Sequence, residues 1–291
     1  MASLTQRRPE NIAGDMFVDR SCVDCDTCRW MAPEIFRREG DMSVVFHQPE
    51  TEGERERALQ ALLSCPTASI GTEERPKDIK QVQESFPIAI AENVYHCGYH
   101  SEKSYGAASY LIQRPEGNIS IDSPRFAPPL VKRIEALGGI RYLFLTHRDD
   151  VADCAKWQAH FNCDRVLHAD DITAKTADVE IQPTGLEPFA LTDDFTILAV
   201  PGHTRGHTVG LYRDRFLFSG DHLAFSPRVG HLYAFRNFCW YDWEIQLESM
   251  RRLAAYDFEW VLPGHGRRYH GSYAETRSQM ARCLHWMEAE A

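Results

Sequence analysis

The sequence contains no long uninterrupted run of apolar residues. Nowhere does it reach the ~18 consecutive apolar residues that a membrane-spanning helix needs, and its first residues, MASLTQRRPEN, lack the apolar core of a secretion signal. Runs rich in Lys or Arg are missing too, and the net charge is −10. We therefore expect a cytoplasmic protein whose partners are neither membranes nor nucleic acids.

The number and spacing of the cysteines argue against two common uses of this residue. Nine cysteines among 291 residues are too few for a disulfide scaffold, and the second C-x2-C pair of a typical structural zinc site is absent. Instead, Cys22, Cys25 and Cys28 form one C-x2-C-x2-C motif, and Cys65 follows at a distance in a Cys-Pro pair. Three thiolates on one loop and a fourth from a remote segment suit a [4Fe–4S] cluster. The sequence therefore predicts one such cluster, held by these four cysteines.

The segment around these cysteines resembles the small single-cluster bacterial ferredoxins. The resemblance spans roughly residues 11–75 and is carried by GDMFVDRSCVDCDTCRWMAPEIF, SVVFHQ, ETEGERERALQALLS and CPTASIGT. It implies a ferredoxin-like domain over residues 1–75 that carries electrons, and a redox partner or reductase that feeds it. The polar stretch EERPKDIKQVQESFP predicts a linker over 76–87, which leaves 88–291 as a second domain.

Polar side chains end four of the strands predicted in this second domain. RYLFLTH ends at His147, LAVPGH at His203, FLFSGD at Asp221 and WVLPGH at His265. Any one of them alone would be an ordinary surface or turn residue. Strand ends at one rim of a sheet converge in space, however, and imidazole with carboxylate suits zinc, iron or manganese. The four residues together predict a metal site.

These residues also carry a family resemblance. LFLTH, PGHTRGHTVGLY, FSGDHLAF and VLPGHG are similar to the successive motifs of the metallo-β-lactamase fold superfamily, over roughly residues 88–291. The resemblance implies an αββα sandwich with its metal site between the two sheets, so the whole chain is expected to be α+β. It also implies that His147 opens the T-H-x-H-x-D-H motif, that His203 is the PGHT histidine, and that Asp221 and His265 are the bridging Asp and the final His.

The chain departs from that motif in THRDDVADC. Asp149 stands where the family has its second His, and the apolar residues 151–152 stand where it has Asp and His. Asp149 is a metal ligand, an acceptor that fixes a histidine tautomer, or a cap of the next helix. A small shift in register would instead bring Asp150 or Asp153 into the site and put Cys154 at the His position.

The intact set of His147, His203 and Asp221 favours iron. Two histidines and one carboxylate with open positions are typical of a non-haem Fe(II) site. Within the superfamily this set is similar to that of the mononuclear iron persulfide dioxygenases, while the flavodiiron proteins use iron pairs. Our first hypothesis is an oxidoreductase in which the cluster passes electrons to a mono- or dinuclear non-haem iron centre that acts on a small molecule. His265 is then a fourth ligand, part of a second metal position, or an acid/base.

Two other hypotheses remain. One is a zinc-dependent hydrolase of a thioester, lactone or phosphoester with a regulatory Fe–S domain, because PGHTRGHT and VLPGHG fit thioester hydrolases such as glyoxalase II equally well. The other is an electron-transfer or sensing protein without catalysis. The motif over 146–154 discriminates between the oxidoreductase and the hydrolase, since it fits a dinuclear zinc site poorly.

Two further predictions concern residues outside the motifs. Asp242 is the predicted N-cap of the helix in DWEIQLESMRRLAAYD. The aromatic stretch FCWYDW is more typical of a core than of a substrate pocket.

Overall fold

The structure is a computed structural model that describes residues 2–290, and these form two compact units. One unit runs up to Arg141 and takes in Ala152–Phe161, while the other comprises Tyr142–Val151 and the chain from Asn162 onward. The boundary predicted over 76–87 falls inside the first unit, so the division at that point stays a prediction.

The cysteine-bearing part of the first unit is a small α+β arrangement. Its elements are β1 (Met16–Val18), α1 (Thr27–Met31), β2 (Phe36–Glu39), β3 (Met42–Val45), α2 (Glu52–Ser64) and β4 (Ile70–Thr72). Strand β1 pairs antiparallel with β4, and β2 with β3. Helix α2 begins at a capping box, in which the Thr51 side chain accepts from the amide of Glu54 and the Glu54 carboxylate accepts from the amide of Thr51.

The rest of the first unit is an antiparallel meander with helices. Its elements are α3 (Ile79–Glu84), β5 (Ile88–Ala91), β6 (Val94–His96), β7 (Tyr110–Ile112), β8 (Ile119–Ile121), α4 (Pro128–Ala136) and α5 (Cys154–Phe161). Strands β5 to β8 pair in chain order. The predicted linker is not featureless, because α3 forms within it and buries Val82.

The second unit is built on one six-stranded sheet. Its elements are β9 (Tyr142–Phe144), β10 (Asp164–Val166), β11 (Phe189–Thr192), β12 (Phe195–Ala199), β13 (Thr208–Tyr212), β14 (Phe216–Gly220), β15 (Ala224–Ser226), β16 (His231–Tyr233), α6 (Trp243–Leu253), β17 (Trp260–Pro263), β18 (Tyr269–His270) and α7 (Tyr273–Ala289). The sheet order is β11-β12-β13-β14-β17-β18. The β14–β17 pair is parallel, as is β9 with β10.

The sheet of the second unit is covered by two helices. All residues of β13 and β14 are buried, as expected of strands enclosed on both faces. Leu247 and Met250 of α6 and Met280 and Cys283 of α7 share one apolar cluster with the sheet. Helix α6 has the predicted cap, because the Asp242 carboxylate accepts from the amide of Ile245 at 3.0 Å.

Across residues 2–290, the helices are either too short or too polar to cross a membrane.

Candidate metal centres

The four predicted cluster cysteines lie around one cavity. Cys22, Cys25 and Cys28 come from the segment that joins β1 to the start of α1, and Cys65 directly follows α2. All four line the same cavity and all four are free of disulfides in the described chain. The fold therefore brings the three-plus-one cysteine pattern to one place.

Backbone amides point at two of these sulfur atoms. The Ser43 amide lies 3.5 Å from Cys22 Sγ, and the Ser69 amide donates to Cys65 Sγ at 3.3 Å. Such N–H groups stabilise negative sulfur, and hydrogen bonds to cluster sulfurs are one of the means by which a protein sets the reduction potential.

Burial disfavours ionisation of the other two thiols. It raises the pKa of Cys25 to about 11, although Thr27 opposes the change, and it raises the pKa of Cys28 further still. Buried thiolates therefore need a positive charge beside them, which the iron of a cluster supplies. Cavity, amides and sulfur donors together fit a [4Fe–4S] cluster.

Residues from beyond the predicted linker pack on the cysteine loop. At Gly106 (φ +89°) an added Cβ would lie 2.8 Å from Cys25 Cβ, so only glycine fits there. His100 Nδ1 donates to the Gly106 carbonyl at 2.7 Å and lies 3.1 Å from Thr27 Oγ1. The Nε2 atoms of His96 and His100 are 2.8 Å apart, and both rings are buried. A histidine pair thus closes one side of the cysteine loop.

The four strand-end residues of the second unit also meet. Asp221 lies at the centre: its Oδ2 is 3.8 Å from His147 Nε2 and 3.7 Å from His203 Nε2. His265 Nδ1 lies 2.8 and 2.9 Å from the two carboxylate oxygens of Asp221. Histidines and aspartate from the ends of four strands therefore converge, as the sequence pattern predicts.

Two further carboxylates join this cluster. Asp149 Oδ2 lies 3.8 Å from His203 Nε2 and 4.0 Å from His147 Nε2, and its side chain is 47% exposed. Asp150, which is buried, offers an oxygen within 4.8 Å of ligand atoms of His147 and Asp221. The cap alternative for Asp149 is wrong, because α5 begins only at Cys154.

Asp153 is occupied elsewhere, which corrects its tentative place among the metal residues. Its Oδ1 pairs with Lys103 Nζ at 2.7 Å and Lys156 Nζ at 3.2 Å, and its Oδ2 accepts from the Phe126 amide at 3.0 Å. Burial alone would raise the pKa of Asp153, but these partners lower it to about 2. Asp150 therefore lies beside His147 and Asp221, whereas Asp153 pairs with two lysines, and Cys154 is buried in α5.

The histidines offer nitrogen atoms to a metal. His147 Nδ1 is 3.0 Å from Thr146 Oγ1, and the buried Nε2 of His147 has no hydrogen-bond partner in the described chain. Both ring nitrogens of His203 likewise lack a hydrogen-bond partner there. Burial lowers the pKa of His147 to about 3, so the ring is neutral, the form that binds metals. Burial opposes ionisation of Asp221, but His265, His147 and His203 outweigh it and hold the pKa of Asp221 well below its usual range. The donor set fits a divalent metal.

His207 and Gly220 support the central aspartate. His207 Nε2 accepts from the Asp221 amide at 3.1 Å, and its ring stacks on His147 with centroids 4.8 Å apart. Gly220 has φ +49°, and an added Cβ would lie 2.6 Å from Thr146 Oγ1. His207 therefore supports the turn that carries Asp221 through a specific hydrogen bond.

The aromatic stretch before α6 departs from the expectation of a core. Phe238, Trp240 and Tyr241 are 56%, 59% and 47% exposed, and only Trp243 is buried. The Trp240 amide donates to the His203 carbonyl at 2.9 Å, and its ring centroid is 6.3 Å from that of His203. This backbone bond anchors the segment on the His203 turn, and the exposed Trp240 ring lies beside the His/Asp cluster.

Comparisons with known proteins found one family model and several curated proteins that are similar to parts of this chain. The family described as "4Fe-4S single cluster domain of Ferredoxin I" matches residues 18–72. Hydroxyacylglutathione hydrolase of Yersinia pestis is 32% identical over 124 residues, 42% of this chain and 48% of the relative. The enzyme of the same name from Xanthomonas campestris pv. campestris is 33% identical over 121 residues, 40% of this chain and 46% of the relative. The chain thus spans about half the length of the curated relatives it matches.

Solved structures define the fold. The DIM-1 metallo-β-lactamase matches with a TM-score of 0.54 and 16% identity, over 70% of this chain and 96% of its own. BLEG-1, a B3 metallo-β-lactamase, gives 0.52 and 15% over 67% and 99%, and the metallo-β-lactamase from Pontibacter korlensis gives 0.51 and 18% over 69% and 97%. The chain therefore joins a single-cluster 4Fe–4S domain to the metallo-β-lactamase fold, in the α+β class. A group of His and Asp side chains in it is suited to metal.

Proposed function

We propose that this protein is a ferredoxin-coupled non-haem iron oxidoreductase. In it, a [4Fe–4S] cluster on Cys22, Cys25, Cys28 and Cys65 exchanges electrons with an iron centre held by the His/Asp cluster. The observation that carries the proposal is the mixed character of that cluster, in which three carboxylates, of Asp149, Asp150 and Asp221, accompany the imidazoles of His147, His203 and His265.

The carboxylates favour iron over zinc. Catalytic zinc in proteins is held mainly by histidine with at most one carboxylate, whereas two histidines and a carboxylate with open positions are typical of non-haem Fe(II). His147, His203 and Asp221 supply that set, and Asp149 lies within 4.0 Å of both histidines. Asp150 and His265 lie on the Asp221 side, where they extend the donor set towards a second metal position.

Each side chain has a role in this proposal. Bound iron would supply a one-electron redox centre able to activate a small oxidant or substrate. His147 and His203 are neutral donors, Asp221 balances positive charge, and His265, hydrogen-bonded to both Asp221 oxygens, can hold or pass a proton at Nδ1. The exposed carboxylate of Asp149 is on the solvent side, where a small molecule would arrive.

The Fe–S domain supports electron transfer as the reason for the fusion. A [4Fe–4S] cluster carries one electron at a time, and hydrolysis at a metal centre needs no electron source. The proposal therefore includes a reductase or other redox partner that feeds the cluster.

A second candidate is a metal-dependent thioester hydrolase. It is supported by the relatives named hydroxyacylglutathione hydrolase, at 32–33% identity over less than half of this chain. In that case the Fe–S domain is regulatory, and the metal of the His/Asp cluster supplies an activated water.

Metal analysis of anaerobically purified protein tests the choice. One [4Fe–4S] cluster accounts for about four iron and about four acid-labile sulfide per chain. We expect one or two further iron without zinc. We also expect oxygen consumption by protein whose cluster has been reduced with dithionite and from which the excess dithionite, itself a reductant of oxygen, has been removed. Zinc in the second site together with hydrolysis of a hydroxyacylglutathione would overturn the proposal in favour of the hydrolase.

A cysteine variant separates the two reactions further. Cys65→Ser removes a cluster ligand and, if the cluster feeds the iron centre, abolishes oxygen consumption while leaving the second-site metal in place. The control is Cys163→Ala, which changes a buried thiol away from the cluster cavity. Hydrolysis of the thioester at the wild-type rate by Cys65→Ser, with no oxygen consumption in either protein, would show that the cluster is not an electron source.

A further inference from the structure

Asp171 is a buried carboxylate for which the sequence motifs suggest no role. It ends a short 3₁₀ turn, Ala169–Asp171, after strand β10, and its relative exposure is 0%. Its Oδ2 accepts from the amide of Arg148 at 3.0 Å and from Thr204 Oγ1 at 2.6 Å, and its Oδ1 accepts from the amide of Gly206 at 2.7 Å. All three donors are uncharged groups.

Each donor stands beside a candidate metal ligand. Arg148 lies between His147 and Asp149 in the chain, and Thr204 directly follows His203. One carboxylate therefore bridges the two loops that carry these residues, the loop after β9 and the turn after β12.

The turn after β12 and the 3₁₀ turn of Asp171 are also packed closely together. An added Cβ at Gly206 would lie 2.6 Å from the Asp171 amide nitrogen, so the turn after β12 rests directly on the 3₁₀ turn. A buried carboxylate without a cation beside it destabilises the folded protein unless its oxygens accept hydrogen bonds. Three donors meet that need here, and together they fix the distance between the two loops.

We propose that Asp171 is a positioning residue that holds the His147 loop and the His203 turn in register, so that their side chains converge on one metal. The inference rests on the proposed metal centre, but not on the identity of its metal or on its reaction. Asp171 touches neither metal nor substrate in this role; it acts through the backbone of Arg148 and Gly206 and the hydroxyl of Thr204.

Asp171→Asn and Asp170→Asn form a matched pair for the test. An asparagine at 171 turns one oxygen into an NH₂ group, which would face an N–H donor and break at least one of the three bonds. Asp170 is the preceding residue, its side chain is 46% exposed, and its carboxylate lies 3.7 Å from Arg205 Nε. Both variants remove one negative charge at neighbouring positions. Asp170 meets the exposed side chain of Arg205, whereas Asp171 bonds to the backbone of both loops and to the Thr204 hydroxyl.

The probe is Co²⁺, added to cluster-containing protein whose second site has been stripped with a chelator. Loss of a residue that orients metal ligands weakens metal binding by about 10- to 100-fold. We expect a loss of that size for Asp171→Asn and wild-type affinity for Asp170→Asn. We also expect a changed Co²⁺ difference spectrum in Asp171→Asn, because the ligand geometry is altered. Equal affinities and spectra in the two variants would overturn the inference.

A Thr204 pair keeps the test decisive if Asp171→Asn does not fold. Thr204→Val removes the 2.6 Å bond and keeps the shape, while Thr204→Ser restores the hydroxyl. We expect weaker Co²⁺ binding in Thr204→Val and recovery in Thr204→Ser; equal binding in the two would contradict a positioning role. If wild-type protein binds Co²⁺ tightly but catalyses neither proposed reaction, the proposed function fails and the role of Asp171 stands.

Discussion

Asp149 differs from its neighbours in the His/Asp cluster by its contact with water. His147, His203 and Asp150 are almost completely buried, whereas the Asp149 side chain is 47% exposed. Burial is also the main reason why the pKa of Asp149 is raised, with smaller contributions from Asp171 and Asp221 that are opposed by His203 and Arg148. A bound cation would lower the pKa of Asp149 again, because it stabilises the ionised carboxylate.

Asp149→Ala should therefore lower the metal content of the second site without changing the cluster. We expect sulfide and its matched iron to stay at wild-type levels while the additional metal falls, since Asp149 flanks both His147 and His203. Elemental analysis of protein purified in parallel measures both quantities. Asp193→Ala, an exposed aspartate in the turn between β11 and β12, is the control. Unchanged metal in Asp149→Ala would exclude it as a ligand.

Asp153 should matter for stability and not for metal. Because its folded-state pKa is lowered to about 2, its ion pairs stabilise the protein above the pKa of an unfolded aspartate, and this contribution is lost as the pH falls towards 2. Asp153→Asn should cost about 1 to 2 kcal/mol at pH 7, a figure reduced for solvent screening at the exposed lysines. The difference from wild type should shrink between about pH 4 and pH 2. Urea unfolding across this range, with metal analysis at pH 7, checks both expectations; a drop in second-site metal would return Asp153 to the ligands.

At the scale of elements, the turn after β14 shapes the central aspartate. Gly220 and Gly185 both have positive φ, +49° and +74°, but an added Cβ meets Thr146 Oγ1 at 2.6 Å in the first case and nothing within 4 Å in the second. Gly220 precedes Asp221, whereas Gly185 lies in an open loop. A substitution at Gly185 therefore introduces backbone strain alone, whereas one at Gly220 introduces backbone strain and crowding beside Asp221.

Gly220→Ala should destabilise the protein more than Gly185→Ala and should displace Asp221. A side chain at positive φ should lower the free energy of unfolding by about 1 kcal/mol in both variants. In Gly220→Ala the clash with Thr146 adds to this loss. Thermal unfolding and second-site metal content measure the two effects. Equal melting temperatures and equal metal content in the two variants would show that the turn tolerates a side chain.

Sequence patterns predicted which strand-end residues lie close together, but not how the connecting loops run. His147, His203, Asp221 and His265 follow buried strands, and apolar runs that end in Thr-His, Gly-His or Gly-Asp are readable without a structure. The choice of Asp150 over Asp153 depends on where α5 starts and on Lys103, which is distant in sequence.

Other features could not be predicted from the sequence for similar reasons. Asp171 also follows a strand, β10, which is the signal that could have drawn attention to it. Its partners come from two other loops, and no local pattern reveals them. The place of Trp240 beside His203 involves a backbone bond between residues far apart in the chain, which composition does not encode. Caps such as Asp242 were predictable because they depend only on residues three positions apart.

At the scale of the molecule, the cluster cysteines depend on residues outside the ferredoxin-like segment. Gly106 and His100 pack against the loop of Cys25 and Thr27, and Arg125 Nη2 donates to the Leu63 carbonyl just before Cys65. A fragment of residues 1–75 loses these contacts. Its cluster should therefore be more exposed to water and oxygen than the cluster of the full chain.

The fragment 1–75 should lose its cluster faster in air than the full chain does. His100→Ala in the full chain should do the same to a smaller extent, because it removes the partner of Thr27 and Gly106 without removing the segment. Decay of the cluster absorbance after exposure to air is the measurement, and His285→Ala, on the exposed face of α7, is the control. Equal decay in His100→Ala and His285→Ala would show that the histidine pair does not protect the cluster.

The path of the chain between its two compact units has a consequence for any attempt to separate them. The backbone passes from one unit to the other at three places, next to Arg141, Val151 and Phe161. A protease that cuts once at any of these places leaves two covalent connections intact. Three cuts are therefore needed before the two units can be released from each other.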